Sequence, residues 1–183
     1  MSSLSLGLMG VALIVLCVIC YFVFRFVHAT LQEWLNPFKA GQHYRCKVLK
    51  VYDGDTITVQ RFNLRRSTTS IRMAYIDAPE LKQNYGNESR EALKKLVLGR
   101  WVKVYILQQD KYGRCVSEVL YRGKNINELM IKQGAAWAYA EYIRPAQRKN
   151  TLLALQNDAK QKKRGLWKSS RIQSPQDYRK KTA

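Results

Sequence analysis

Nothing constrains this chain more than its first apolar run. Leu6 to Phe24 is 19 residues without a charge, ended by Arg25. At ~1.5 Å per residue a helix of that length spans ~28 Å, about one hydrocarbon core. Val27-His28-Ala29 offers a weak signal-cleavage site, which would give a secreted product. However, no basic side chain precedes the run, and its apolar core is long for a signal. The segment 1–27 therefore reads as an uncleaved single-pass anchor. Arg25, Lys39 and Arg45 follow the span and none precedes it, so the positive-inside rule puts the attached domain in the cytoplasm. A single span carrying a large domain obeys that rule weakly, and the side of the membrane stays open.

Residues 28–41 read as a linker, broken by Pro37 and Gly41. From Gln42 onward the pattern turns to strands. Tyr44, Cys46 and Val48 alternate with polar residues, and Ile57–Gln60 and Ile71–Ile76 form the arms of a hairpin with a long basic loop. Asn87 is the expected cap of a helix stopped by Gly99, with Leu93, Leu96 and Val97 on one face. Strands follow at Trp101–Leu107 and Cys115–Tyr121. Asn125 with Glu128 opens a short helix ending at Gly134, and a last helix runs from Ala146 to Lys163. The residues after the "RGLW" at 164–167 read as a basic, flexible tail, 169–183. Five short strands with a helix between the third and fourth predict an α+β fold: a five-stranded OB-type β-barrel with about three helices, preceded by one transmembrane helix.

The 183 residues carry 32 Lys and Arg against 13 Asp and Glu, a net charge of +19. Such a surface suits a polyanion: nucleic acid, anionic lipid or acidic protein. Cys17 and Cys20 lie in the apolar run. Cys46 and Cys115 are isolated, and the sequence neither requires nor excludes a disulfide between them. With His43 as the one histidine of the expected domain, sites built on paired histidines or His-bound zinc are disfavoured.

Against this basic background, the few acids gather at strand ends. "VYDGDTITV" sets Asp53 and Asp55 around Gly54, a hairpin signal by itself. "IRMAYIDAPE" carries Arg72, Asp77 and Glu80, with Pro79 stopping the strand. Arg72 and Asp77 are five apart, so strict alternation would put them on opposite faces. A bulge or strand end must bring them together. Four carboxylates near one end of a barrel invite a cation. "QDKYGRC" reads as a turn built on Gly113, with Arg114 entering the next strand. Lys111 and Tyr112 in that turn, and Tyr142 in "WAYAEYI", are candidates for phosphate contact or base stacking.

"DGDT" at 53–56, "IRMAYIDAPE" at 71–80, "YGNESREAL" at 85–93, "DKYGR" at 110–114 and "RGLW" at 164–167 come in the order seen in the staphylococcal nuclease (thermonuclease) family. The resemblance spans Tyr44 to Trp167 and implies a thermonuclease-like OB-fold nuclease domain over 42–168. It makes Asp55 and Asp77 calcium-binding carboxylates, with the main-chain oxygen of Ala78 as a further ligand. Ala78 stands where threonine is common, a change that a main-chain ligand survives. Glu80 becomes the general base, and Arg72 and Arg114 the phosphate-binding arginines. The segment between Glu80 and Tyr85 is shorter than in the best-known member, and the loop before Ile71 is longer.

The expectation is thus a membrane-anchored, Ca²⁺-dependent nuclease that hydrolyses DNA and RNA by metal-assisted water attack and, by family resemblance, leaves 3′-phosphate ends. The alternative is a catalytically silent OB-type module binding nucleic acid or protein at a membrane. Such a module need not keep Asp55, Arg72, Asp77, Glu80 and Arg114 together. An anionic-lipid-binding protein would account for the span and the charge but not for the acids.

Overall fold

The computed structural model of the chain describes residues 3–35, 38–63 and 65–182. It divides into two units, Met1–Pro37 and Phe38–Ala183. The first is one helix, α1 (Ser3–Leu35). Within it Gly10–Leu31 has a mean hydropathy of 2.6 and no buried surface, long and apolar enough to cross a membrane. The same length and position also suit a signal sequence. Arg25 does not end the helix, which continues through His28 to Leu35 because no Pro or Gly interrupts it there. Most of the expected linker is therefore helical. Pro37, expected as its breaker, lies outside the described residues.

The second unit is built on a closed barrel of β1 (His43–Val51), β2 (Thr56–Arg61), β3 (Thr68–Met73), β5 (Trp101–Gln109) and β6 (Cys115–Tyr121). Neighbours run β3-β2-β1-β5-β6, and a parallel β3–β6 pairing closes the ring. Register shifts at Val48/Lys50 and Ile106/Gln108 bend the two longest strands, as closure of a small barrel requires. Alternate residues of the strands point inward. Cys46 and Val48, Ile57 and Val59, Ile71 and Met73, and Val102, Val104 and Ile106 are all buried. Each fully buried large aliphatic among them contributes about 1.5–3 kcal/mol.

Three helices pack around the barrel: α2 (Gly86–Val97), α3 (Ile126–Lys132) and α4 (Ala146–Gln161). Leu93 and Val97 of α2, Met130 and Ile131 of α3 and Leu152 of α4 enter the same core. Asn125 caps α3 as its sequence predicts, accepting from the Glu128 amide at 3.2 Å. Asn87 does not cap α2. That helix begins at Gly86, two residues earlier than such a cap would set it, after Tyr85 in a left-handed conformation (φ 69°) and without a side-chain cap. The short strands β4 (Ile76–Asp77) and β8 (Trp137–Ala138) pair with each other, and β7 (Lys124–Asn125) folds back to pair antiparallel with the end of β6.

Residues 169–182, expected as a flexible tail, instead carry a further helix, α5 (Pro175–Thr182). Pro175 is buried, and Ser174 caps the helix by accepting from the Asp177 amide at 3.1 Å. Pro at the first helical position behind a Ser cap is a start signal legible in "SPQD".

Candidate active site

The Asp-Gly-Asp stretch holds two strands and a helix close together. Asp53 accepts from the Asp55 amide at 2.9 Å, fixing the turn that enters β2. A Cβ on Gly54 would lie 1.8 Å from Ser89 Oγ on α2 and 2.6 Å from Ala78 Cβ. Glycine is there because two elements approach the backbone closely. Ser89 is fully buried and donates to the Ala135 carbonyl at 2.7 Å, which fixes α2 in this position.

Arg72 and Asp77 meet because their strand is interrupted. β3 ends at Met73, Ala74 and Tyr75 make a turn with Tyr75 at φ 67°, and β4 restarts at Ile76. The expected single strand Ile71–Ile76 is thus two. The turn resets the alternation, and residues five apart come to share one side. Pairing of Thr56 with Arg72 sets Asp55 at the same end.

Asp55 and Asp77 are 5% and 3% exposed. Arg72 bridges them: Nη1 lies 2.5 Å from Asp55 Oδ2, without hydrogen-bond alignment, and Nη2 donates to Asp77 Oδ1 at 2.9 Å. Asp55 also accepts from the Ala78 amide at 2.7 Å and from Thr56 Oγ1 at 3.0 Å. Burial pushes the Asp77 carboxyl up, opposed by a hydrogen bond from Arg179 and by the Arg72 charge. Burial, then the neighbouring Asp55 charge, pushes Asp53 up to about 6. Burial works against the charge on Arg72, but Asp55, Asp77 and Asp53 outweigh it and hold the guanidinium ionised.

Glu80 follows Pro79 on irregular backbone. Its amide donates to Gln83 Oε1 at 3.1 Å, and its carbonyl accepts from the Gln83 amide at 2.8 Å. Its side chain is bonded to Arg179 of α5, whose Nη1 lies 2.8 Å from Glu80 Oε1 and whose Nη2 lies 2.9 Å from Asp77 Oδ2. Arg179 was not anticipated, because the basic tail offers no apolar periodicity to mark a packed helix. The Ser-Pro start above was the one available signal.

Arg114 stands immediately before β6, beside the β3 segment that carries Arg72. Its guanidinium is not joined to the carboxylate cluster. Its Nε donates to Asp110 Oδ2 at 2.8 Å, and its own amide and that of Tyr112 donate to Asp110 Oδ1. Burial costs the Asp110 carboxylate, but these bonds and the Arg114 charge carry its pKa below the usual value. Lys111 and Arg114 both lie over the exposed ring of Tyr112, at 5.1 and 5.4 Å. Tyr142 is exposed and sits against Tyr139, centroids 4.6 Å apart, shortly after the strand that pairs with Asp77. The structure therefore gathers Asp53, Asp55, Arg72, Asp77, Ala78 and Glu80. Arg114, Lys111 and Tyr112 stand in an adjoining turn.

No three His, Cys, Asp or Glu side chains form a metal cluster among the described residues. The metal donors that do meet are the oxygens of two buried carboxylates, Asp55 and Asp77; the Ala78 amide donates to Asp55. So sparse and hard a set fits a divalent cation such as Ca²⁺ that takes its remaining ligands from water and a phosphate.

A barrel of this topology with carboxylates and an arginine at the ends of its strands defines a class of protein, and similarity names it. The family profile described as staphylococcal nuclease homologue matches residues 70–169. An uncharacterized endonuclease of Escherichia coli O157:H7 is 45% identical over 125 residues, 66% of this chain and 75% of that protein. One from Haemophilus influenzae is 36% identical over 134 residues, 73% and 72% of the two chains. The micrococcal nuclease of Shigella flexneri is 34% identical over 149 residues, 76% and 83%. The chain belongs to the staphylococcal nuclease homologue family of phosphodiester hydrolases.

Proposed function

We infer that this protein is a Ca²⁺-dependent endonuclease acting on DNA and RNA, held at a membrane by α1. The observation that carries the reading is the pair of buried carboxylates, Asp55 and Asp77, bridged by Arg72 at the strand ends of the barrel. Bound between Asp55, Asp77 and the Ala78 carbonyl, Ca²⁺ would supply the positive charge that polarises a phosphoryl oxygen.

The chain's own groups do the rest. Glu80 takes a proton from the attacking water, help that is typically worth ~10²–10⁴-fold. Arg72 is ionised throughout the working range, and each terminal nitrogen that pairs with an aspartate keeps a second N–H for a phosphoryl oxygen as its charge grows. Arg114 lies at the next strand end and reaches the phosphate when its Asp110 partner yields it. Lys111 and Tyr112 bind the flanking phosphate, and Tyr142 offers a face for a base.

The test uses the purified full chain in detergent with DNA and RNA substrates, in Ca²⁺ and then in chelator. Cleavage in Ca²⁺ that chelator abolishes supports the reading. Asp55→Asn and Asp77→Asn are each expected to lose about 10² or more in turnover and to weaken Ca²⁺ binding in calorimetry. Nucleic acid bound but uncleaved under every metal condition would mark a binding module instead.

A further inference from the structure

The site contains an arginine that neither the motifs nor the proposed chemistry uses. Arg179, on α5, spans Glu80 and Asp77 with its two terminal nitrogens, at 2.8 and 2.9 Å. A second contact joins the same tail to the same loop: Gln83 Nε2 donates to the Gln173 carbonyl at 2.6 Å. Gln83 also accepts from the Glu80 amide, so the backbone and the side chain of Glu80 are both tied to residues beyond Trp167.

We propose that Arg179 is a positioning residue, which holds Glu80 in place for proton abstraction, and that α5 is thereby part of the active centre. The inference rests on the reading of Glu80 as the base. Three observations carry it. Glu80 sits on a short irregular loop after Pro79, where no strand or helix fixes its side chain. Arg179 is the one side-chain partner of its carboxylate among the described residues. The loop itself is packed too tightly to adapt on its own, since a Cβ on Gly86 would lie 2.0 Å from the Glu80 carbonyl oxygen. The backbone is therefore fixed by packing, and the freedom left to Glu80 is that of its side chain, which the guanidinium removes.

Charge argues the same way. Asp53, Asp55, Asp77 and Glu80 face Arg72 and Arg179, which leaves the cluster negative and able to accept a divalent cation with both arginines in place. Because a guanidinium bridges with two nitrogens held in one plane, it fixes the angle between Glu80 and Asp77, which an ammonium does not. A catalytic group misplaced by about 1 Å loses on the order of 10²-fold.

The test is a double-mutant cycle on the full chain in Ca²⁺: wild type, Glu80→Gln, Arg179→Ala and the double variant. Arg179→Ala is expected to lower kcat by about 10–100-fold with KM changed less than about threefold. It should add nothing to Glu80→Gln, because Arg179 acts through Glu80. Arg179→Lys should recover only part of the loss, and free guanidinium added to Arg179→Ala should recover part as well, which a misfolded variant would not show. Additive effects in the cycle, or a kcat that rises on removal of Arg179, would overturn the proposal, the second by making α5 an inhibitory plug. If Glu80→Gln alone cleaves at the wild-type rate, it is the assignment of the base that fails.

Discussion

Arg72 serves two buried carboxylates at once, and that sets the cost of changing it. Arg72→Ala leaves Asp55 and Asp77 facing each other with one cation fewer, a loss on the order of 3–5 kcal/mol. Urea unfolding of the metal-free protein should show it, and added Ca²⁺ should return part of the stability. Arg72→Lys keeps the charge but not the fork, so the fold should survive while turnover falls by on the order of 10²-fold. Kinetics and urea midpoints, taken on the same preparation, separate the two effects. Cys46 and Cys115 are both buried and both free thiols. Burial pushes the Cys46 thiol up to about 12. A raised thiol pKa favours the folded state fully below the unfolded value near 8.5 and progressively less as pH climbs toward 12. Stability should therefore decline across that window by up to about 1.4 kcal/mol per pH unit, and Cys46→Ala should flatten the slope. At pH 8 Cys46 should resist alkylation until the protein is unfolded.

At the scale of elements, what could be read in the sequence was whatever repeats with a period. The five barrel strands and α2 declare themselves by alternation or by helical spacing, because one face of each meets the core, whereas α3 is marked by its Asn125–Glu128 start. Short elements held by partners distant in sequence do not. β4 and β8 are two residues each and exist because they pair with one another. The turn at Ala74–Tyr75 depends on Tyr75 adopting a left-handed conformation, for which the side chain gives no cue. The carboxylates and Arg72 were found through their order along the chain, whereas the link between Glu80 and α5 crosses most of the domain and has no local signature. The start of α2 was misplaced for a related reason. Its first turn is set by Tyr85 and by the close contact between Gly86 and Glu80, not by a capping side chain. Gly86→Ala should accordingly cost about 1–3 kcal/mol, seen in the denaturation midpoint, because the added methyl meets backbone. It should also reduce kcat more than a distant substitution of equal stability cost, since the loop that must shift carries Glu80.

For the molecule as a whole, α1 and the barrel unit divide the work. Every residue of the carboxylate cluster lies in Phe38–Ala183. A chain lacking the first 37 residues should fold, with a melting temperature within a few degrees of the full protein, and should cleave at a comparable rate. Full-length protein should remain in the membrane pellet after carbonate washing and should lose that property with α1. A shortened soluble species starting near Thr30 would show instead that α1 is removed as a signal. The parallel seam between Ile71–Met73 and Cys115–Ser117 has a consequence in time. The ring is not shut without it, and it joins segments separated by β4, α2 and β5, so it costs more loop entropy than any hairpin in the barrel. Arg72 sits on that seam. A chain that has collapsed but not closed will display strands and helices while lacking the geometry that cuts. In refolding from urea, activity should emerge with the slowest phase, behind the recovery of secondary structure, so that a newly made chain does not become a nuclease until its barrel is shut.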